Sequence, residues 1–313
     1  MPHPQIPQPV QELVINWHIT EACNYRCRYC FAQWTKPGRE LIHDTSSTAV
    51  LLKALFHYFS PDNARNPLRR EMAWESLRLN LAGGEPLLYG GAATQVIKLA
   101  RSIGFKTSLI SNGSRLSPTL MAELAPHLDM LGLSLDSADA ETNQAIGRAD
   151  LCLLDVHELR AVITWGRQLN PGLRLKINTV VNALNWNEDM AELIRDLAPD
   201  KWKVLRMLPT LNHDLAISDA EFQAFIQRHQ CLNQIMRAED NVGMAESYLM
   251  LDPHGRFFQN RLGHQGYEYS EPIPVVGVAT AFSQIRMSAD KFLARYAMRQ
   301  TGRPAQNTVQ TRK

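Results

Sequence analysis

The amino-acid sequence predicts an α/β fold, namely a partial (βα)6 barrel of the TIM type with a C-terminal extension that closes its lumen. Apolar strand-like runs alternate with helix-like runs six times, which is typical of a parallel sheet with outer helices. Right-handed crossovers between parallel strands favour closure into a barrel. The 313 residues are 45% hydrophobic and 20% charged, which are globular values.

The predicted elements follow one another regularly as far as the sixth strand, and the pattern then loosens. The strands are Leu13–Thr20, Leu77–Ala82, Lys106–Ser111, Met130–Leu135, Arg174–Val181 and Lys201–Leu208. The helices between them are Ser47–Phe59, Ala93–Ile103, Pro118–Leu124, Leu154–Gln168 and Glu188–Leu197. A helix at Asp219–His229, a strand at Ser247–Asp252 and a helical tail at Ala289–Arg299 come later. We therefore divide the chain into a flexible lead (1–12), the barrel (13–210), an extension (211–300) and a flexible tail (301–313).

Each predicted strand separates its side chains onto two faces, because alternate residues of a strand point to opposite sides. The first strand places Asn16, His18 and Thr20 on one face, opposite Ile15, Trp17 and Ile19. The second strand places Arg78 and Asn80 opposite leucines. The fifth strand places Arg174, Lys176 and Asn178 on one face, and the sixth strand places Lys201 and Lys203 on one face. The apolar faces are expected to meet the helices, so the polar, cationic faces are expected to line the lumen.

A cationic lumen is unusual, since barrel interiors are normally filled with Val, Ile and Leu. Burying several unpaired cations would cost several kcal/mol each. Either the strands are shorter than predicted, with the cations at exposed ends, or the lumen is open and holds an anionic ligand. We favour the open lumen, and phosphates suit it because Lys and Arg both bind them.

The composition excludes several classes of protein. A net charge of +2 argues against a nucleic-acid-binding protein, and five cysteines are too few for a disulfide scaffold. No apolar run reaches the 18–20 or so residues of a membrane span, and the proline-rich start lacks the pattern of a signal peptide. We expect a cytoplasmic protein that contacts neither membranes nor nucleic acid.

Three cysteines cluster just after the first strand, where α/β barrels place their chemistry. Cys23, Cys27 and Cys30 have C-x3-C-x2-C spacing, so three thiolates can close around one metal centre and leave a position open. Buried free cysteines and a zinc site with His18 as fourth ligand are the alternatives, and we favour an iron–sulfur cluster. Cys152 and Cys231 are expected to be small core residues. His229, like the other histidines without ligand spacing, is expected at the surface or in a turn.

The cysteine motif, with Tyr29 before its third cysteine, resembles the signature of the radical S-adenosylmethionine enzymes. The segment Gly83-Gly84-Glu85-Pro86 resembles the GGEP motif of the same family. The resemblance implies a barrel of the radical SAM kind and a [4Fe–4S] cluster on the three cysteines. It also implies S-adenosylmethionine (SAM) as co-substrate, with its amino and carboxylate groups on the unique iron and its amino group at Glu85.

Longer stretches between about residues 14 and 300 resemble the viperin family. Among them are Asn16-Trp17-His18-Ile19-Thr20, the run from Leu79 to Pro86, Ser111-Asn112-Gly113-Ser114 and the run from Lys176 to Asn182. Viperins convert a nucleoside triphosphate to its 3′-deoxy-3′,4′-didehydro form, a chain terminator for viral polymerases. The resemblance therefore implies abstraction of the ribose 4′ hydrogen, loss of the 3′ hydroxyl as water, and a role in antiphage defence. The alternative is another radical SAM enzyme that acts on a different small phosphorylated substrate.

The resemblance and the strand faces together predict which residues form each part of the site. For SAM we predict Tyr29, Gly83, Gly84, Glu85, Asn112, Ser134 and Arg148, with Arg148 on the methionyl carboxylate and Ser134 on the ribose. For the triphosphate substrate (CTP, UTP or GTP) we predict Asn16, His18, Arg78, Asn80, Lys176, Asn178, Lys201, Lys203 and Tyr248. Tyr248 is also predicted as a late hydrogen or electron donor. An electron-donor protein such as a flavodoxin or ferredoxin is the expected partner.

Overall fold

One continuous sheet organises the protein. The computed structural model describes residues 10–30, 32, 39–151, 153–209, 213–239, 246–260 and 266–297, so the predictions for residues 1–9, Cys152 and 298–313 lie outside it. Within this part of the chain ten strands are hydrogen-bonded in the order β10-β9-β8-β1-β2-β3-β4-β5-β6-β7. The strands are β1 (Val10–His18), β2 (Trp74–Ala82), β3 (Lys106–Ser111), β4 (Met130–Ser134), β5 (Arg174–Val181), β6 (Lys201–Arg206), β7 (Met236–Glu239), β8 (Leu249–Leu251), β9 (Phe257–Asn260) and β10 (Tyr267–Tyr269).

The predicted α/β fold with a parallel sheet is confirmed. Strands β1 to β7 pair in parallel in chain order, and β8 pairs in parallel with β1 on the other side. The last two strands, β9 and β10, add an antiparallel edge next to β8. The C-terminal extension thus joins the sheet itself, and it supplies both strands that flank the six predicted ones.

The helices of the described residues lie between these strands and after them. They are α1 (Thr45–Phe59), α2 (Gly90–Ile103), α3 (Pro118–Leu124), α4 (Ala140–Ile146), α5 (Val156–Leu169), α6 (Ala191–Leu197), α7 (Asp219–Arg228), α8 (Ile273–Val276), α9 (Val278–Ser283) and α10 (Ala289–Ala297). Several begin at side-chain caps: Asp44 accepts from the Ser47 N–H at 3.0 Å, and Ser218 forms a capping box with Glu221. None of the described helices has the length and apolar character needed to cross a membrane.

Several predicted boundaries need correction. Strand β1 starts at Val10, inside the predicted lead, because Val10 already pairs with Trp74 of β2. It ends at His18, since the Thr20 hydroxyl donates to Glu40 at 3.0 Å and accepts from the Ala22 N–H. The predictions missed α4, α8, α9, β7, β9 and β10, because the strands are only three or four residues long and the helices at most seven.

The apolar strand faces form the core, as the alternation predicts. Trp17 of β1 and Trp202 of β6 are completely buried, together with the leucines at alternate positions of β2. The opposite faces of the same strands point into a cavity. The cations on the cavity wall are Arg78, Lys176, Lys201 and Lys203, so they belong to the lumen even though several strands end earlier than predicted.

One prediction about an isolated residue is half right and another is wrong. His229 lies in the turn after α7, one of the two places predicted, but it is fully buried: its Nε2 accepts from the Met190 N–H at 2.9 Å, and its Nδ1 lies 2.8 Å from the Phe225 carbonyl oxygen. Cys231 is exposed rather than in the core, and Arg195 donates to its sulfur at 3.0 Å. Cys231 lies in a short 3-10 helix in which Leu232 takes the buried position.

Candidate active site

A cavity of about 850 Å³ runs from the loop after β1 into the interior of the barrel. Such a volume is in the upper part of the range for small-molecule sites. Every residue that the sequence predicts for the site lies on its wall. These residues are Asn16, His18, Cys23, Cys27, Tyr29, Cys30, Arg78, Asn80, Gly83, Gly84, Glu85, Asn112, Ser134, Arg148, Lys176, Asn178, Lys201, Lys203 and Tyr248.

The turn after β2 holds the cysteine loop. The Gly84 N–H donates to the Thr20 carbonyl at 2.8 Å, and the Glu85 N–H donates to the Ala22 carbonyl at 2.7 Å. A Cβ on Gly84 would lie 2.1 Å from the Ala22 carbonyl oxygen, far inside contact distance. Glycine is therefore required here because two backbone segments touch.

A second contact fixes the other half of the cysteine loop. The Arg26 N–H donates to the Gly147 carbonyl at 3.0 Å, and the Arg28 N–H donates to the Ile146 carbonyl at 2.9 Å. Gly147 has φ +90°, and a Cβ there would lie 2.2 Å from the Arg26 carbonyl oxygen. The loop is thus held between the β2 turn and the end of α4, although it has no regular secondary structure itself.

The three cysteines are free thiols facing one cavity. Burial raises the pKa of Cys23, and it raises the pKa of Cys27 to about 11 with further contributions from Asp136 and the other two thiols. No three His, Cys, Asp or Glu side chains among the described residues form a closed metal-binding group. Binding a cluster therefore requires these thiols to lose their protons and gather around it.

The chemistry of this donor set fits a [4Fe–4S] cluster. Such clusters are held by cysteine thiolates, ordinarily four, and the loop supplies three beside a cavity with room for a further ligand. Arg148 Nη1 lies 3.7 Å from the Cys27 sulfur, so a cation is already in place to offset thiolate charge.

Arg148 belongs to a buried network with Asp136 and Tyr29. Its guanidinium donates to the Tyr29 hydroxyl at 2.9 Å and to the Ser134 carbonyl at 2.6 Å, and it lies 3.5 Å from the Asp136 carboxylate. Tyr29 donates its hydroxyl proton to the same carboxylate, and Asp136 also accepts from the Val180 N–H at 2.9 Å. Burial raises the pKa of Tyr29 well above its usual value. These contacts hold Arg148 beside the cysteine loop, and they occupy much of the donor capacity predicted for the SAM carboxylate.

Glu85 is also engaged by its own surroundings. Its carboxylate accepts from the Asn112 N–H at 2.6 Å, the Ser111 hydroxyl at 2.8 Å and the Leu87 N–H at 2.9 Å. Burial raises its pKa, and these hydrogen bonds oppose the shift. Three of the four or so acceptor sites of a carboxylate are therefore occupied, two of them by groups at the end of β3 and one by the β2 turn itself.

Deeper in the lumen, polar side chains bind one another in a chain. Asn80 donates to the Asn16 side-chain oxygen at 2.9 Å and accepts from the Ser108 hydroxyl at 2.7 Å. Arg78 follows, 3.5 Å from the Ser108 hydroxyl and 2.9 Å from the Glu12 carboxylate. Glu12, which the sequence prediction placed in the lead, thus offsets the charge of the deepest arginine. Arg174 pairs with Glu12 at 3.7 Å and is not part of the cavity wall.

A compact charged cluster lies on the cavity wall at β6, β7, α10 and the residue before β8. We call it the Lys203 cluster, and its members are Lys203, Glu239, Tyr248 and Arg295. Lys203 Nζ lies 2.7 Å from the Glu239 carboxylate and donates to the Tyr248 hydroxyl at 3.1 Å. Arg295 donates to the same carboxylate and the same hydroxyl, and its Cζ lies 4.3 Å from the centre of the Tyr248 ring. Tyr248 is therefore part of a cation-binding arrangement.

His18 and Asn178 line the upper part of the lumen. Burial lowers the pKa of His18 to about 4, so the ring is neutral near pH 7. Its centre lies 5.1 Å from the centre of the Phe258 ring, and the two rings are nearly perpendicular. The neighbouring strands place Asn178 level with both Ser134 and Lys203.

Sequence reasoning missed Asp136, Glu239, Arg295 and Tyr296, all of which line the cavity. Asp136 directly follows the predicted fourth strand, so its position at a carboxyl end was a usable signal. Glu239 ends the short β7, and Arg295 lies in a helix distant in sequence. No local sequence pattern marks Glu239 or Arg295 as a site residue.

Comparison with known proteins adds two kinds of similarity. Residues 17–151 match the Radical SAM superfamily. Over most of the chain the similarity is to curated proteins named S-adenosylmethionine-dependent nucleotide dehydratase. The protein from Pseudoalteromonas ulvae is 43% identical over 92% of this chain and 94% of its own length. The protein from Psychrobacter lutiphocae is 42% identical over 91% of this chain and 95% of its own.

The fold is shared with a solved structure of anSMEcpe with bound AdoMet. The TM-score is 0.66 at 14% identity, over 91% of this chain and 82% of that one.

Proposed function

This chain belongs to the S-adenosylmethionine-dependent nucleotide dehydratases of the radical SAM superfamily, and on that premise we propose that it dehydrates a ribonucleoside triphosphate. The product would be the 3′-deoxy-3′,4′-didehydro nucleotide, a chain terminator for antiviral, here antiphage, defence. The observation that supports this proposal most directly is the composition of one cavity wall. A three-cysteine loop lies at one end, and Arg78, Lys176, Lys201 and Lys203 line the interior.

Cys23, Cys27 and Cys30 are the residues to hold the [4Fe–4S] cluster, because they provide three thiols on one loop. With SAM bound beside it, the cluster would supply the electron that splits SAM into methionine and a 5′-deoxyadenosyl radical, and that radical would remove the ribose 4′ hydrogen. Gly83, Gly84 and Ser134 line the cavity near this loop and are proposed to contact SAM. Tyr29, Glu85, Asn112 and Arg148 keep the loop and its surroundings in place through the hydrogen bonds described above.

The triphosphate is proposed to lie against the cations of the lumen. A triphosphate carries about four negative charges, and lysines and arginines on separate strands can approach it from several sides. Asn16, Asn80 and Asn178 have amide groups suited to ribose or phosphate oxygens. This placement positions the ribose between the cations and the cysteine loop, with the reacting carbon toward the loop.

The barrel wall is proposed to keep water from the reactive carbon. Trp17 and Trp202, both fully buried, close the outside of β1 and β6. A closed site prevents side reactions of a carbon radical and holds the two reacting groups in line. We propose the cytosol as the location, where the free thiols stay reduced. A flavodoxin or ferredoxin is proposed as the electron donor.

An anaerobic assay tests the proposal. The protein, with reconstituted cluster, SAM and a strong reductant, is incubated with each ribonucleoside triphosphate separately and the masses are measured. We expect 5′-deoxyadenosine together with a nucleotide lighter by one water, and the reactive triphosphate identifies the base. 5′-Deoxyadenosine with no altered nucleotide would instead favour a different phosphorylated substrate. An intact cluster without SAM cleavage would contradict the radical mechanism.

A further inference from the structure

A carboxylate inside a cation-lined cavity calls for an explanation, because it repels the anion that the cations attract. Glu239 is that carboxylate, and it lies on the wall among Lys201, Lys203 and Arg295. One of its oxygens, Oε2, contacts both Lys203 Nζ, at 2.7 Å, and Arg295 Nη1. Its side chain is 19% exposed, so it is screened by little water.

The contacts within the Lys203 cluster favour the charged forms of Glu239 and Lys203. Burial raises the pKa of Glu239, but Lys203, Arg295 and Lys201 outweigh burial and lower it. Burial lowers the pKa of Lys203, but Tyr248 and Glu239 outweigh burial and raise it. All members of the ion pair are therefore charged at neutral pH, and Tyr248 adds a second oxygen that both cations contact.

The arrangement resembles a phosphate site that already contains an anion. The carboxylate oxygen lies 2.7 Å from an ammonium group and contacts a guanidinium group. A phosphate oxygen bound at the same place would make the same two contacts. We propose that Glu239 occupies the position of a substrate phosphate group and is displaced by it when the nucleotide binds.

This inference rests on the proposed function, and it adds a specificity device to it. A ligand must compete with Glu239 for Lys203 and Arg295, so anions of low charge are disfavoured and a polyphosphate is favoured. The carboxylate also keeps the two cations together in the empty site.

The test replaces the charge and keeps the shape. In Glu239→Gln, the affinity for inorganic triphosphate and for the reactive nucleoside triphosphate, measured by calorimetry, is expected to rise about tenfold, which corresponds to ~1.4 kcal/mol. Asp196→Asn is the matched control, because it removes an exposed carboxylate that pairs with Arg160 at 3.2 Å outside the cavity. Unchanged or weaker binding in Glu239→Gln would overturn the inference, since a carboxylate that only orients the cations cannot oppose the ligand.

A thermal measurement gives a second readout. Without ligand, Glu239→Gln should melt at a lower temperature than the wild type, because two cations lose their carboxylate. Inorganic triphosphate should then raise the melting temperature of the variant more than that of the wild type. Equal increments in both proteins would contradict displacement.

A second variant and the wild-type protein distinguish failure of the Glu239 inference from failure of the proposed function. Should Glu239→Gln not fold, Glu239→Asp keeps the charge with a shorter reach, and its affinity for inorganic triphosphate should lie above that of the wild type. Weaker binding by Glu239→Asp would overturn the inference. Turnover of a triphosphate by the wild type, without a gain in either variant, refutes only the role of Glu239. A wild type that neither binds nor converts any triphosphate refutes the proposed function.

Discussion

At the scale of single residues, Gly84 shows how a short motif serves the site through backbone contact. Its Cα lies against the backbone of Ala22, next to the first cysteine of the loop. Glu85 beside it uses its carboxylate to join the β2 turn to Asn112 after β3. In this structure the Gly-Gly-Glu segment therefore positions the cysteine loop, whatever further contact it makes with SAM.

The first prediction concerns Gly84→Ala. The added Cβ must push the Ala22 carbonyl away from its 2.1 Å approach, so we expect a loss of about 1–3 kcal/mol in stability and less iron bound per chain. Gly91→Ala is the matched control, because a Cβ at Gly91 meets nothing within 4 Å and alanine favours a helix. Thermal unfolding and iron content after reconstitution measure both effects. Normal iron content in Gly84→Ala would show that the loop tolerates displacement.

The second prediction concerns the lumen lysines. In Lys176→Ala or Lys203→Ala, loss of a charged phosphate contact should lower triphosphate-dependent kcat/KM by about 100-fold, or ~2.7 kcal/mol. The visible spectrum of the cluster should stay the same, because the two lysines lie on β5 and β6 and are not among the three cysteines proposed to hold the cluster. Lys53→Ala, at an exposed position of α1, is the control. Full activity in both lumen variants would refute binding of the triphosphate at this wall.

At the scale of elements, the irregular cysteine loop depends on neighbours that are regular. Strand β2 ends in the turn that holds Thr20 and Ala22, and α4 ends at Gly147, which holds Arg26. The pair α6 and α7 is joined in a different way, through the buried His229. Its ring accepts from the Met190 N–H just before α6 and lies against Trp202 at 4.9 Å.

The third prediction follows from His229. Burial lowers its pKa from the usual 6.5, so the folded protein favours the neutral ring. The stability that this preference provides is complete above about pH 6.5 and is lost as the pH falls through the lowered folded-state pKa. His229→Phe cannot be protonated, so its free energy of unfolding should fall less than that of the wild type between pH 7.5 and 5. Chemical denaturation at several pH values measures this, and parallel curves would contradict it.

At the scale of the whole molecule, the C-terminal extension is part of the same sheet as the barrel. Strand β8 pairs with β1, and α10 brings Arg295 to the cavity while burying Phe292 completely. We propose on this basis that residues 211–300 complete the substrate site and fold together with the barrel.

The fourth prediction tests whether the extension folds together with the barrel. Phe292→Ala should lower the stability by about 3–5 kcal/mol, and Phe292→Leu by less. If the extension and the barrel unfold together, far-ultraviolet circular dichroism and tryptophan fluorescence should report one transition in each variant, since all six tryptophans lie before residue 211. A separate early transition seen only by circular dichroism would show that the extension is an independent unit.

The six barrel strands, their polar faces and the cysteine loop could be predicted from the amino-acid sequence alone. Period-two alternation over β1, β2, β5 and β6 separates core from lumen without reference to any other element. The three cysteines and the Gly-Gly-Glu-Pro turn are local motifs, so they too were readable, as was the membership of the radical SAM superfamily that they indicate.

Which charged side chains meet could not be predicted, because it depends on contacts between distant parts of the chain. Glu12 reaches Arg78, and Glu239 reaches both Lys203 and Arg295, across separations of 66, 36 and 56 residues. Such contacts depend on the order of the strands in the sheet and on the position of α10, which no local pattern encodes. The same reason explains Asp136, whose position after a strand was visible while its partners Tyr29 and Arg148 were not. A side chain's type follows from the sequence, but its electrostatic partner follows from the packing of distant elements around one cavity.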